Sequence, residues 1–231
     1  MRVARALRMH DEEEVTLRSG AATIAATWTI PPTARGVVVF AHGSGSSRFS
    51  KRNRFVADEL VGAGFATLLL DLLTESEDAV DRITAEHRFD IELLAERLAC
   101  GVRWVRELAE TSRLPIGLFG ASTGAAAALI TASQYAGDID AVVSRGGRPD
   151  LAGKHLVGVR ASTLLIVGSD DAPVVELNDN ALAQLACPKE LVIVRGASHL
   201  FEEPGALAHV ASLAVQWFED HLLERATHAH L

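Results

Sequence analysis

The stretch GLFGASTGAAAAL, residues 117–129, runs from an apolar segment through one serine into a string of alanines, with glycine two positions to either side of the serine. Gly120-Ala121-Ser122-Thr123-Gly124 fits the pattern G-x-S-x-G, and its context is that of a strand followed directly by a helix. In such a turn the serine takes a strained backbone conformation. Side chains two positions away would collide with neighbouring backbone, which accounts for the glycines. The following helix aims its free N–H groups and the positive end of its dipole at any oxyanion forming beside the serine. Glycine and serine are also common in plain turns, so Ser122 reads either as turn chemistry or as a nucleophile. The nucleophile reading requires a base and a carboxylate elsewhere in the chain, because a serine hydroxyl alone is weakly reactive.

Outward from this turn, GVVVFAHG (36–43), FATLLLD (65–71), PIGLFG (115–120), AVVSRG (141–146), TLLIVG (163–168) and LVIVRG (191–196) are short apolar runs, most ending in Gly or Asp. Helical periodicity marks 51–63, 87–110, 123–134, 174–186 and 204–224. Near-continuous apolar strands separated by helices predict a mostly parallel sheet with helices on both faces. VTLRSG and ATIAATWTIPP, meeting around Ser19-Gly20, predict an N-terminal antiparallel hairpin. No repeat or Pro-rich linker divides residues 1–231, so a single α/β domain is expected. A chain of 231 residues can bury about 70% of its unfolded surface.

In open parallel sheets ligands bind beyond the carboxyl ends of the strands. Asp171 follows TLLIVGSD and His199 follows LVIVRGAS, each just past a strand end, 49 residues after Ser122 and a further 28 after Asp171. The order Ser, Asp, His suits the serine elbow. Asp171, three residues past Gly168, is the preferred acid, and its neighbour Asp170 is the alternative. His42 precedes the serine and is expected to shape a loop. That loop, HGSGSSRFSKRN (42–53), is rich in Gly and Ser, but it lacks the GK[ST] ending of a nucleotide P-loop and the third glycine of G-x-G-x-x-G. In an elbow architecture it supplies one oxyanion N–H, assigned to Ser44, and Thr123 supplies the other.

Composition removes other classes. A net charge of −8, without Lys/Arg clusters interleaved with aromatics, argues against nucleic acid. No apolar run approaches the roughly 18 residues of a membrane span. The leading MRVARALRMHDEEEV lacks the features of a secretory signal, so a cytoplasmic protein is expected. Cys100 and Cys187, the two cysteines, have no disulfide-framework or zinc-site spacing and read as free, buried thiols.

HGSGSSRFSKRN, GASTG, AVVSRGGRPDLA, TLLIVGSDDAPVVELN and GASHLFEEPGAL together resemble the α/β-hydrolase superfamily, and within it the small dienelactone-hydrolase-like proteins, over roughly residues 36–224. The resemblance implies a catalytic triad of Ser122, Asp171 and His199, no metal or organic cofactor, and a small ester and water as the partners. Dienelactone hydrolases carry cysteine as nucleophile where this chain has Ser122, which moves the expected substrate from dienelactones towards carboxylic esters in general, with lactones and thioesters as alternatives. Only residues 147–162 separate the strand ending near Arg145 from the next. No cap domain fits there, and an open, shallow cleft suited to short acyl groups is expected. Arg145 and Arg148, in SRGGRPD, are candidates for gripping a substrate carboxylate, with an ion pair to Asp150 as the alternative for either. Readings of another class are a non-hydrolytic small-molecule sensor on the same fold and a nucleotide site on 42–53.

Overall fold

The computed structural model describes residues 12–228; the leading stretch as far as Asp11 lies outside them. Two strands, β1 (Glu12–Ser19) and β2 (Ala22–Thr29), form the expected hairpin, turning at Gly20-Ala21, with Gly20 at φ 60°. Then come β3 (Gly36–Ala41), α1 (Lys51–Gly62), β4 (Phe65–Leu70), α2 (Glu75–Thr84), α3 (Ile91–Glu107), β5 (Ile116–Ala121), α4 (Thr123–Gln134), β6 (Ala141–Arg145), β7 (Ser162–Gly168), α5 (Ala172–Gln184), β8 (Lys189–Val194) and α6 (Ala206–His228). The eight strands form one sheet in the order β1-β2-β4-β3-β5-β6-β7-β8. Pairs β1/β2 and β2/β4 are antiparallel and the rest are parallel.

Every residue of β3, β4, β5, β6 and β7 is buried, as the unbroken apolar runs require. One core lies between the sheet and α3, α4 and α5, around Leu68, Leu118 and Leu129; the other lies between the sheet and α1 and α6, around Phe40, Phe119 and Phe218. The alanine string has a packing reason. All residues from Thr123 to Ala132 are buried, so α4 touches protein all round, and small side chains let it approach the sheet and α3 closely. Between β6 and β7 the chain makes only a 3₁₀ segment, Pro149–Gly158, and no cap.

Two features depart from the sequence reading. The helix expected over 87–110 spans only Ile91–Glu107, because the Asp90 carboxylate accepts from Leu93 N–H and caps the first turn there. Helix α2 was not expected. It opens on a capping box in which Thr74 Oγ1 accepts from Glu77 N–H and the Glu77 carboxylate accepts from Thr74 N–H. With the 42–49 loop, α2 walls a cavity of about 530 Å³. The expected open, shallow cleft is therefore partly enclosed.

Candidate active site

Ser122 lies between the end of β5 and the first residue of α4, at φ 51° and ψ −120°, a conformation that side-chain-bearing residues rarely adopt. The surroundings hold it there. Its N–H donates to the Arg145 carbonyl (3.2 Å), and its carbonyl accepts from the N–H groups of Ala125 and Arg148 (3.1 Å each). The glycine requirement is steric: a Cβ on Gly120 would lie 2.4 Å from Ala125 Cα, and one on Gly124 would lie 2.4 Å from the carbonyl oxygens of Ala41 and His42. Such strain costs on the order of 1–3 kcal/mol and concentrates at functional sites.

Loops after β7 and β8 bring the acid and the imidazole together. Ser169 Oγ accepts from Gly196 N–H (2.7 Å) and Asp170 N–H donates to Ala197 O (3.0 Å), tying the two loops side by side. Beyond these ties Asp171 Oδ2 lies 2.6 Å from His199 Nδ1, a short bond to a charged acceptor. Asp170 takes the other direction: its carboxylate accepts from Ser169 Oγ (2.9 Å) and it is exposed. With aspartate as acceptor, Nδ1 carries the proton and the Nε2 lone pair is free. His199 is adjacent to the elbow. A Cβ on Gly146, the residue after the Arg145 that holds Ser122, would lie 3.6 Å from His199 Cε1. Among the described residues the Ser122 hydroxyl has no hydrogen-bond partner, so the serine–imidazole contact is open here. Such contacts are often long in ligand-free enzymes and tighten around substrate.

The loop after β3 passes over the serine, so that a Cβ on Gly43 would lie 3.1 Å from Ser122 Cβ. His42 Nδ1–H donates to the Gly43 carbonyl (2.9 Å), and Ser46 N–H donates to the same oxygen (3.2 Å). A trans peptide whose carbonyl is fixed on one side presents its N–H, that of Ser44, on the other. Ser44 Oγ and Thr123 Oγ1 are 3.0 Å apart, which links the two residues assigned as oxyanion donors. As the first residue of α4, Thr123 has an N–H without an intrahelical acceptor.

His42 shapes the loop, as expected. Its Nε2 accepts from Leu72 N–H (3.0 Å), so both ring nitrogens are engaged in the neutral form, and burial pushes its pKa below the usual imidazole value. Asp71 accepts from Arg48 N–H (2.7 Å) and pairs with its guanidinium, giving the loop a second latch to the end of β4.

The expected grip of Arg145 and Arg148 on a substrate carboxylate does not fit the structure. Arg148 makes a fork to Asp150, 2.8 and 2.7 Å, the ion pair weighed as its alternative. Arg145 is only 6% exposed and points to the α1 side of the sheet, where Nη2 donates to Asn53 Oδ1 (3.4 Å). Which side it takes was not legible, since β6 is buried on both faces and shows no alternation. Cys100 and Cys187 are free and buried, and burial raises the Cys100 pKa. Among the described residues no three His, Cys, Asp or Glu side chains converge as a metal site, and no helix is long and apolar enough to cross a membrane.

Comparison with known proteins places this geometry. The model of the dienelactone hydrolase family matches residues 22–222. The crystal structure of dienelactone hydrolase from Anabaena variabilis is 52% identical, with a TM-score of 0.91, over 93% of this chain and 99% of that one. An esterase of Pyrococcus furiosus shares the fold at 17% identity and a TM-score of 0.75, over 92% of each chain. Two Mycobacterium tuberculosis proteins named putative phosphoribosyl transferase are 54% identical over 211 residues, which is 91% of this chain but 47% of theirs. The chain thus spans about half the length of the curated relatives it matches. With the strand order, the serine elbow and a family match running through nearly the whole sheet, the chain belongs to the dienelactone hydrolase family.

Proposed function

We propose that this hydrolase is a serine esterase that cleaves small carboxylic esters through an acyl-enzyme on Ser122. The observation that carries the reading is the strained elbow: a non-glycine residue at φ 51° where a helix begins, beside an imidazole already paired to a carboxylate. His199 Nε2 takes the Ser122 proton as Oγ attacks the ester carbonyl, and Asp171 holds the imidazole in the required tautomer and stabilises it once charged. The N–H groups of Ser44 and Thr123 receive the oxyanion. The alcohol leaves with the proton from His199, and the same imidazole then activates water to release the acid. Losing one oxyanion donor in such sites costs about 10²–10³ in kcat.

The cavity beside Gly43, Ser44 and Thr123 combines apolar walls, from Phe49, Leu72, Leu73 and Leu94, with Thr74 and the paired Asp71. A bounded space with such mixed walls suits small acyl or alcohol groups that carry both apolar and polar atoms. A lactone is the second reading, favoured by the 52% identity to a protein named dienelactone hydrolase. The putative phosphoribosyl transferase name belongs to proteins about twice as long, of which this chain matches about half. The test is hydrolysis of p-nitrophenyl acetate. Turnover abolished in Ser122→Ala, with the melting temperature kept, supports the esterase. Equal activity in the variant and the parent overturns it.

A further inference from the structure

Helix α2 buries a carboxylate where a helix ordinarily buries apolar side chains. Of its ten residues only Asp81 is buried, at 2% exposure, while Val80 and Ile83 face solvent. A buried charge is tolerated only where it is fully bonded, and Asp81 is bonded to one short segment. Past the left-handed Ala85, the N–H groups of His87 and Arg88 donate to Asp81 Oδ1 (2.8 and 2.9 Å). Arg88 Nε–H donates to Oδ2 (2.8 Å) and Arg88 Nη2 to the Asp81 carbonyl (2.7 Å). Three of the four bonds come from Arg88, which is thereby held by backbone and side chain together.

The Arg88 carbonyl leads from this clamp to the candidate active site. It accepts from Ser44 Oγ (3.3 Å), and Ser44 Oγ is 3.0 Å from Thr123 Oγ1. A hydroxyl has one proton to donate. With the Ser44 proton on Arg88, the second bond carries the Thr123 proton, so the donors run one way, from Thr123 to Ser44 to Arg88. All three residues line the cavity of about 530 Å³. We propose that Asp81 is a positioning residue for the oxyanion hole: through Arg88 it holds the Ser44 and Thr123 hydroxyls in register, and so sets the spacing of the two backbone N–H groups on those residues. The inference rests on the esterase reading of Ser122. Oxyanion donors act on charge that develops in the transition state, so lost aim lowers kcat and leaves KM little changed.

The test is a double-mutant cycle on p-nitrophenyl acetate. Asp81→Ala and Ser44→Ala, which keeps its backbone N–H, should each lower kcat about tenfold to a hundredfold with KM within about twofold. The double variant should fall no further than the worse single one, because both changes break the same chain. Asp81→Asn, which keeps an acceptor for the two backbone N–H groups, should lose less than Asp81→Ala. Thr123→Val should match Ser44→Ala, and Thr123→Ser should recover most of the rate. Hydrogen–deuterium exchange gives a readout without turnover: either Asp81 variant should speed exchange in the 42–49 loop and leave β6 unchanged. Should Asp81→Ala fail to fold, Asp81→Asn and the Thr123 pair decide. Losses that multiply in the double variant, a Thr123→Val with the parent kcat, or loop exchange unchanged in Asp81→Asn would overturn the proposal while Ser122-dependent turnover stands. Turnover that survives Ser122→Ala would overturn the esterase reading and this inference with it.

Discussion

Ser122, Asp171 and His199 stand at three strand ends, and their separate environments predict separate mutational outcomes. Asp171 fixes the imidazole through the 2.6 Å bond, whereas Asp170 is bonded only to Ser169 and the Ala197 carbonyl. Asp171→Asn should therefore lower kcat on p-nitrophenyl acetate by about 10⁴-fold, through the wrong tautomer, while Asp170→Asn stays within about twofold of the parent. The sequence placed both aspartates past the same strand; the tie between the β7 and β8 loops that separates their roles is tertiary. His42 carries a pH prediction. Its pKa is lowered in the folded protein from an ordinary 6.5, so the unfolded chain binds the extra proton first as pH falls. Its contribution to stability is complete above pH 6.5 and is lost as pH drops from there towards the lowered native value. The fall in Tm between pH 6.5 and 5 should be shallower in His42→Asn than in the parent, and superimposable slopes would contradict the assignment.

Among the elements, the β5–α4 junction was legible because its demands are local: an apolar strand, small residues at two positions, and a run of good helix formers. Gly124→Ala tests this directly. A methyl group placed 2.4 Å from two backbone oxygens should cost about 3 kcal/mol, which lowers Tm by roughly 6–12 °C in a chain of this size. Gly137→Ala, where a Cβ meets nothing within 4 Å, should change Tm by less than about 2 °C. Helix α2 departs from the usual pattern because ESEDAVDRIT turns its apolar Val80 and Ile83 to solvent and buries Asp81; caps and ion pairs hold it, including Arg82 to Asp78 and Asp81 to Arg88. Its sequence signals were a capping box, Thr74 followed three residues later by Glu77, and the acids Glu75, Glu77 and Asp78 in its first turn. For Arg145 neither a substrate carboxylate nor an ion pair came about, since in a strand buried on both faces the pattern says nothing about which side a residue takes, and it meets Asn53.

For the molecule as a whole, the parallel sheet, the hairpin at its edge and the absence of a cap followed from apolar runs and connection lengths, whereas the partly enclosed cavity arose from α2 and the 42–49 loop standing on its walls. A bounded space of about 530 Å³, with Asp71, Thr74, Glu75 and Asp78 among its apolar walls, predicts a preference for short acyl chains. Across p-nitrophenyl esters, kcat/KM should fall at least tenfold from acetate or butyrate to octanoate, and a rise with chain length would contradict that shape. All of this rests on the hydroxyl at the β5–α4 turn being made nucleophilic by the imidazole from the β8 loop. The most direct test is treatment of the folded protein with a fluorophosphonate, followed by peptide mass spectrometry. The account predicts a single adduct on Ser122 that disappears in His199→Ala, and an unmodified Ser122 in correctly folded protein would contradict it.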